Sequence, residues 1–218
     1  VRLYCHYCRP VFSNCYIAGT DFPEEETALP EAADQGTAHR KAIIIDPGEM
    51  DSTILNLIED NDYTLAGVFI THDHPPNVKG LATIMRIYDT EVYATAPAIK
   101  GHRTTLVRDG DIVSIGPFRI EVILIPGHSA DSAVFKINRL LFTGDTLGAG
   151  LIGNTVSSYA AAAQVNALRS KIFSLPGDYT VLPAQGPPTS LKVERQFNFG
   201  IDSFEKQKKR RPVFRVEL

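Results

Sequence analysis

Two histidines one residue apart, His72 and His74, are the first candidates for chemistry in this chain. They stand in Thr71-His72-Asp73-His74-Pro75-Pro76-Asn77, directly after the apolar run Leu65 to Ile70. That run is short and reads as a buried strand. Pro75 and Pro76 offer no backbone N–H to a ladder, so the strand stops before them. Two imidazoles on a rigid loop at a strand exit suit a metal, because neutral imidazole ligates zinc and iron. Alone, the His-x-His pair reads equally as two surface histidines. Two further stretches change the balance. Ile125-Pro126-Gly127-His128-Ser129 follows the strand-like run Ile120 to Leu124, and Leu141-Phe142-Thr143-Gly144-Asp145-Thr146 follows another apolar run. Each sets a ligand-capable side chain just beyond a strand, with glycine beside it to let the backbone turn.

The segments THDH, PGHSADS, FTGDT and LPAQGPPT, in that order, resemble the metallo-β-lactamase fold hydrolases, and among them the small glyoxalase II-like enzymes. The likeness runs from about Phe12 to about Phe197. It implies an α/β (α+β) fold, a four-layer αββα sandwich with metal loops at one edge. By the same resemblance His72, His74 and His128 look like ligands of the family's first metal, and Asp145 like its bridging carboxylate. Three imidazoles and an open position suffice for zinc to lower the pKa of bound water to about 7. Asp46 and Asp73 are candidate outer carboxylates that orient a histidine. Asp46 reads equally as a turn-capping residue.

The departures from the family pattern concern one metal only. In His-x-His-x-Asp-His the Asp position is Pro76 here and the last His position is Asn77. The family's final histidine, in the LPxHGPP stretch, is Gln185. Proline has no side-chain donor atom, and an amide oxygen is a poor zinc ligand. The expectation is therefore one zinc, or one iron, with a second metal absent or weak. The expected activity is hydrolysis of a thioester or ester, a small-molecule substrate, by a hydroxide on that single metal. Two alternatives stand beside it. One is a catalytically silent binding protein of this fold. The other is a mononuclear iron centre like that of persulfide dioxygenases, using His128, Asp145 and one of the first histidine pair. The helical domain with which true glyoxalase II holds glutathione is not read here, so glutathione specificity is not expected.

Composition limits the remaining classes. The chain has 218 residues, 44% hydrophobic and 22% charged, with a formal net charge of −3. Those values fit a globular protein and argue against a general nucleic-acid binder. No apolar run approaches the roughly 20 residues of a membrane span. No apolar secretory stretch opens the chain. Three cysteines are too few for a disulfide scaffold. A cytoplasmic location is the resulting expectation, and no oligomeric state is assigned. Cys5-His6-Tyr7-Cys8 has no second Cys-x-x-Cys, so it reads mainly as packed or exposed thiols on an N-terminal strand.

The elements that must carry the loops follow from periodicity. Strands are predicted over Val11 to Ala18, Lys41 to Asp46, Leu65 to Ile70, Glu91 to Ala94, Ile112 to Ile115, Phe118 to Ile125, Ala133 to Ile137, Leu140 to Phe142 and Val181 to Leu182. Helices are predicted over Ser52 to Asn61, Val78 to Tyr88, Ser158 to Phe173 with a cap at Ser157 or Ser158, and Pro188 to Phe197. Ala96 to Gly101 reads as a helical turn. The whole, 1–218, reads as one domain with an acidic loop insertion at about 20–41 and a basic, solvated tail at about 205–218.

Overall fold

A computed structural model describes residues 1–20 and 40–210, with side chains described up to residue 206. Most of the acidic insertion, His39, and the end of the basic tail lie outside the described residues.

The chain begins with an antiparallel pair, β1 (Arg2–Cys8) and β2 (Ser13–Gly19), in register His6 to Cys15. Cys5 is exposed on this hairpin, whereas Cys8 and Cys15 are buried. Next come β3 (Arg40–Ile45), α1 (Ser52–Asp60) and β4 (Tyr63–Phe69). Asp51 caps α1, its carboxylate accepting from the Ile54 N–H at 3.1 Å. The predicted helix Val78 to Tyr88 is instead two helices, α2 (Pro75–Val78) and α3 (Leu81–Ile87). Proline is well suited to a helix's first turn, which starts α2 earlier than the apolar spacing suggests. The break falls at Gly80, whose N–H donates to the Pro47 carbonyl at 2.8 Å instead of continuing the helix.

A three-residue strand β5 (Val92–Ala94) leads to β6 (Ala98–Ile99) and β7 (His102–Arg103). The helical turn expected at Ala96 to Gly101 is thus a hairpin. Lys100 (φ 48°) and Gly101 (φ 82°) form its two-residue turn, and positive φ at both positions matches strand twist. Then follow β8 (Thr105–Leu106), β9 (Ile112–Ile115), β10 (Phe118–Leu124), β11 (Ala133–Ile137), β12 (Leu140–Gly144), β13 (Leu147–Gly148) and β14 (Leu151–Ile152). Ser157 caps α4 (Ser158–Ala167), which passes into a π-helical turn over Leu168–Ile172. The chain closes with β15 (Thr180–Pro183), β16 (Thr189–Ser190), α5 (Leu191–Phe197) and α6 (Phe199–Arg210). The first part of the predicted tail is therefore helical. Asn198 starts that helix by accepting from the Ile201 N–H at 3.0 Å.

Two six-stranded sheets result, β1-β2-β3-β4-β5-β8 and β16-β15-β12-β11-β10-β9. Strand alternation sorts their side chains into three apolar layers. Ile43 and Ile45 of β3 face Phe135 and Phe142 of the other sheet, while Ala42 and Ile44 face Ile54, Ile58, Leu81 and Ile84 of the helices. On the far side, Val134 and Leu141 meet Leu168, Ile172 and Leu191. Helix, sheet, sheet and helix are thus stacked, which is the expected αββα order. Strands buried on both faces explain why β3 reads as an unbroken Ala-Ile-Ile-Ile run.

Topology then sets the edge that carries the loops. β3, β4 and β5 are parallel neighbours, as are β12 and β15. Parallel strands finish at the same edge, so Asp46 and the Thr71 loop leave the first sheet together and Asp145 and Ala184 the second, and the 3.5 Å approach of His72 Nε2 to Asp145 Oδ2 sets the two edges side by side. Phe135 ties the sheets across the middle, its ring 5.2 Å from that of Phe69 at 74°. Phe135→Ala is expected to lower stability by about 3–5 kcal/mol, read by urea unfolding. A loss under about 1 kcal/mol would contradict this account of the inter-sheet core.

Candidate metal centre

His72 and His74 leave the end of β4, His128 lies between β10 and β11, and Asp145 follows β12. The four side chains meet. His72 Nε2 lies 3.5 Å from Asp145 Oδ2, and His128 Nε2 lies 3.6 Å from the same oxygen. His74 Nδ1 and His128 Nε2 are 3.1 Å apart. One donor atom from each residue falls within 4.8 Å of the other three. Ligands at about 2.0–2.1 Å from a tetrahedral zinc stand about 3.3 Å apart, so this set has the right size for one ion. His72 Nε2 and Asp145 Oδ1 are buried without a hydrogen-bond partner. Unpaired buried polar atoms are costly, and an ion would satisfy them. The donor set, nitrogen and carboxylate oxygen, fits zinc or iron.

Two imidazoles are turned by groups behind them. His128 Nδ1 donates to the Asn154 carbonyl at 2.8 Å, which leaves Nε2 with its lone pair toward the centre. His72 Nδ1 lies 3.1 Å from Thr71 Oγ1, and that hydroxyl donates to Asp46 Oδ2 at 2.7 Å. Asp46 also accepts from the Thr71 N–H at 2.8 Å. Asp46 thus acts on His72 through Thr71, and it does so from the left-handed region (φ 52°). Asp73 is exposed and takes another part: its N–H donates to Asp131 Oδ2 at 2.8 Å, tying the two histidine loops together.

The charges are mutually supporting. Burial works against the His72 imidazolium, but Asp145 and Asp46 outweigh it and raise its pKa. Burial and the neighbouring His72 and His128 lower the pKa of His74. Burial would raise that of Asp145, yet its His72 contact brings it below the usual carboxylate value. Burial pushes Asp46 up to about 7, against the lowering effect of His72 and Thr71.

Close approach dictates two glycines. A Cβ on Gly144 (φ 53°) would stand 2.5 Å from Thr71 Oγ1. One on Gly153 would stand 2.9 Å from His128 Nδ1. The site opens into a cavity of about 380 Å³ lined by His74, His128, Asp145, Leu151, Ile152, Asn154 and Gln185 among others. Its β13–β14 wall is pinned from behind: the Gly150 N–H donates to the buried Glu194 carboxylate at 3.1 Å, and Asn198 Nδ2 donates to the same carboxylate at 2.7 Å.

The altered positions separate. Pro76 lies in α2, half-buried, and Asn77 is fully buried behind His72. Gln185 is exposed at the cavity. Among the described residues, one group of His, Cys, Asp or Glu side chains is placed to hold an ion. Thr71, Asp131 and the Asn154 carbonyl were not assigned roles from sequence. The first two stand inside the quoted motifs, while a backbone carbonyl has no sequence signature.

Residues 37–185 match the Metallo-beta-lactamase superfamily. The chain belongs to that superfamily. A hydroxyacylglutathione hydrolase from Francisella philomiragia is 36% identical over 149 residues, 66% of this chain and 58% of that relative. The chain thus spans less than two thirds of that relative's length. Two solved structures share the fold. ETHE1 from Myxococcus xanthus has a TM-score of 0.77 at 22% identity, covering 97% of this chain and 92% of the other. TTHA1623, solved in a di-iron-bound form, has a TM-score of 0.69 at 21% identity, covering 90% and 98%. Among the described residues no helix is long and apolar enough to cross a membrane.

The raised pKa of Asp46 carries a sign. A carboxyl whose folded value exceeds its unfolded value of about 3.9 contributes stability below that value and loses it as pH rises through about 7. With a chelator present, the native protein is expected to lose stability between about pH 4 and about pH 7, and Asp46→Asn to lose less. Equal losses in urea unfolding would contradict the assignment.

Proposed function

We propose that this chain is a metal-dependent hydrolase of glyoxalase II-like type, cleaving a small thioester or ester with one ion held by His72, His74, His128 and Asp145. The observation that carries this reading is the convergence of those four side chains at a cavity, with His72 Nε2 and Asp145 Oδ1 buried and unpaired. The name of the Francisella relative supports a thioester as the bond attacked.

When bound, the ion would supply Lewis acidity, acidifying water and polarising a carbonyl. The protein's own groups do the rest. The Asn154 carbonyl and the Thr71–Asp46 pair hold His128 and His72 in fixed orientations. Asp145 is ionised at neutral pH, so beside the ion its carboxylate would steer the attacking water by accepting a hydrogen bond from it. Leu151 and Ile152 present an apolar wall to an acyl group, and the Asn154 and Gln185 positions give the cavity a neutral polar side. Pro76, Asn77 and Gln185 leave a second ion without the imidazole and carboxylate ligands of the family pattern.

His128→Ala is expected to abolish metal retention. Thioester turnover should fall more than about 100-fold, beyond the roughly 10–100-fold that losing an outer partner costs. A variant that keeps both metal and turnover would contradict the proposal. Native protein that holds the ion but turns over no thioester or ester would point instead to a silent binding protein.

A further inference from the structure

Asn77 stands where the family pattern has a metal-ligating histidine, yet it turns away from the cavity. It is fully buried, with Ser13 Oγ 3.3 Å from Oδ1 and Nδ2 3.2 Å from His72 Nδ1. Ser13 is buried as well. His72 Nδ1 therefore lies between two polar groups, the Thr71 hydroxyl at 3.1 Å and the Asn77 amide.

The donor count is decisive. Thr71 has one hydroxyl proton, and it goes to Asp46 at 2.7 Å. Toward His72, Thr71 can then only accept. An imidazole that offers Nε2 as a ligand carries its proton on Nδ1, which needs acceptors. With Nδ2 facing His72, Asn77 sets a donor against that N–H. A half-turn of the amide exchanges O and N at nearly the same positions. Oδ1 then accepts from His72 Nδ1–H, and Nδ2 donates to Ser13 Oγ. The two amide orientations correspond to the two neutral tautomers of His72, and only one of them frees Nε2.

We propose that Asn77, anchored by Ser13, is a positioning residue that selects the Nδ1–H tautomer of His72 and so prepares Nε2 for the ion. A position that the family pattern gives to a second metal here supports the first. The inference rests on the one-metal reading above and goes beyond it.

The test is competitive titration of zinc against a chromophoric chelator, using native protein and the variants Asn77→Ala, Asn77→Asp and Ser13→Ala. Asn77→Ala should weaken zinc binding by about 10–100-fold. Asn77→Asp, which still offers an acceptor to Nδ1–H, should stay close to native at the same stoichiometry, and Ser13→Ala should fall between them. Imidazole nitrogen NMR of the zinc-loaded native protein should place the His72 proton on Nδ1. Asn77→Ala binding zinc as tightly as native, Asn77→Asp falling as far as Asn77→Ala, or a His72 proton on Nε2 would each overturn the inference alone. Native protein that binds no zinc would overturn the one-metal reading and this inference with it.

Discussion

Three imidazoles and one carboxylate crowd together at the edge of two sheets, and the rest of the structure is arranged to hold them there. Such crowding is unfavourable for buried polar groups left to themselves, since each lacks enough partners. Asp145 offsets part of this, lying 3.5 and 3.6 Å from two histidines. What remains unpaired, His72 Nε2 and Asp145 Oδ1, belongs to two side chains that approach each other where the donors converge. The constraint is geometric first. Parallel pairing of β3 with β4 and of β12 with β15 ends separate segments at one edge.

Outer contacts convert that proximity into fixed orientation. Thr71, held by Asp46, and Asn77 meet at His72 Nδ1, the Asn154 carbonyl holds His128, and Asp131 joins the two histidine loops. Rings without such partners sample several rotamers, and a metal site loosens accordingly. Asp46 spans both levels of the structure. It ends β3 at the sheet edge, and its carboxylate caps the Thr71 amide and hydroxyl. The cavity wall depends on distant packing of the same kind, through the buried Glu194 and Asn198 behind the β13–β14 turn.

The ligand-capable residues were legible because each stands in a short motif at a strand exit, and strands announce themselves by apolar runs. The three core layers follow from the same runs once alternation is applied. What escaped the sequence is local backbone geometry and long-range pairing. Lys100-Gly101 makes a tight hairpin through positive φ at a lysine, which spacing alone does not reveal. The split between α2 and α3 depends on the Gly80 N–H reaching Pro47, a contact across 33 positions of chain. Asp73 was expected behind a histidine and is instead exposed, because the His74 N–H donates to the His72 carbonyl at 3.0 Å and the chain turns about Asp73. Asn77 could be read as a lost ligand but not as a support for His72, since its partner Ser13 comes from β2.

The central claim is one ion at one site, and metal content per chain tests it most directly. Elemental analysis of protein purified without a metal-chelating column is the measurement, with zinc and iron both determined. The account predicts about one ion per chain, lost on His128→Ala. Two ions per chain would contradict the reading of Pro76, Asn77 and Gln185, and none after soaking in zinc or iron would contradict the centre itself.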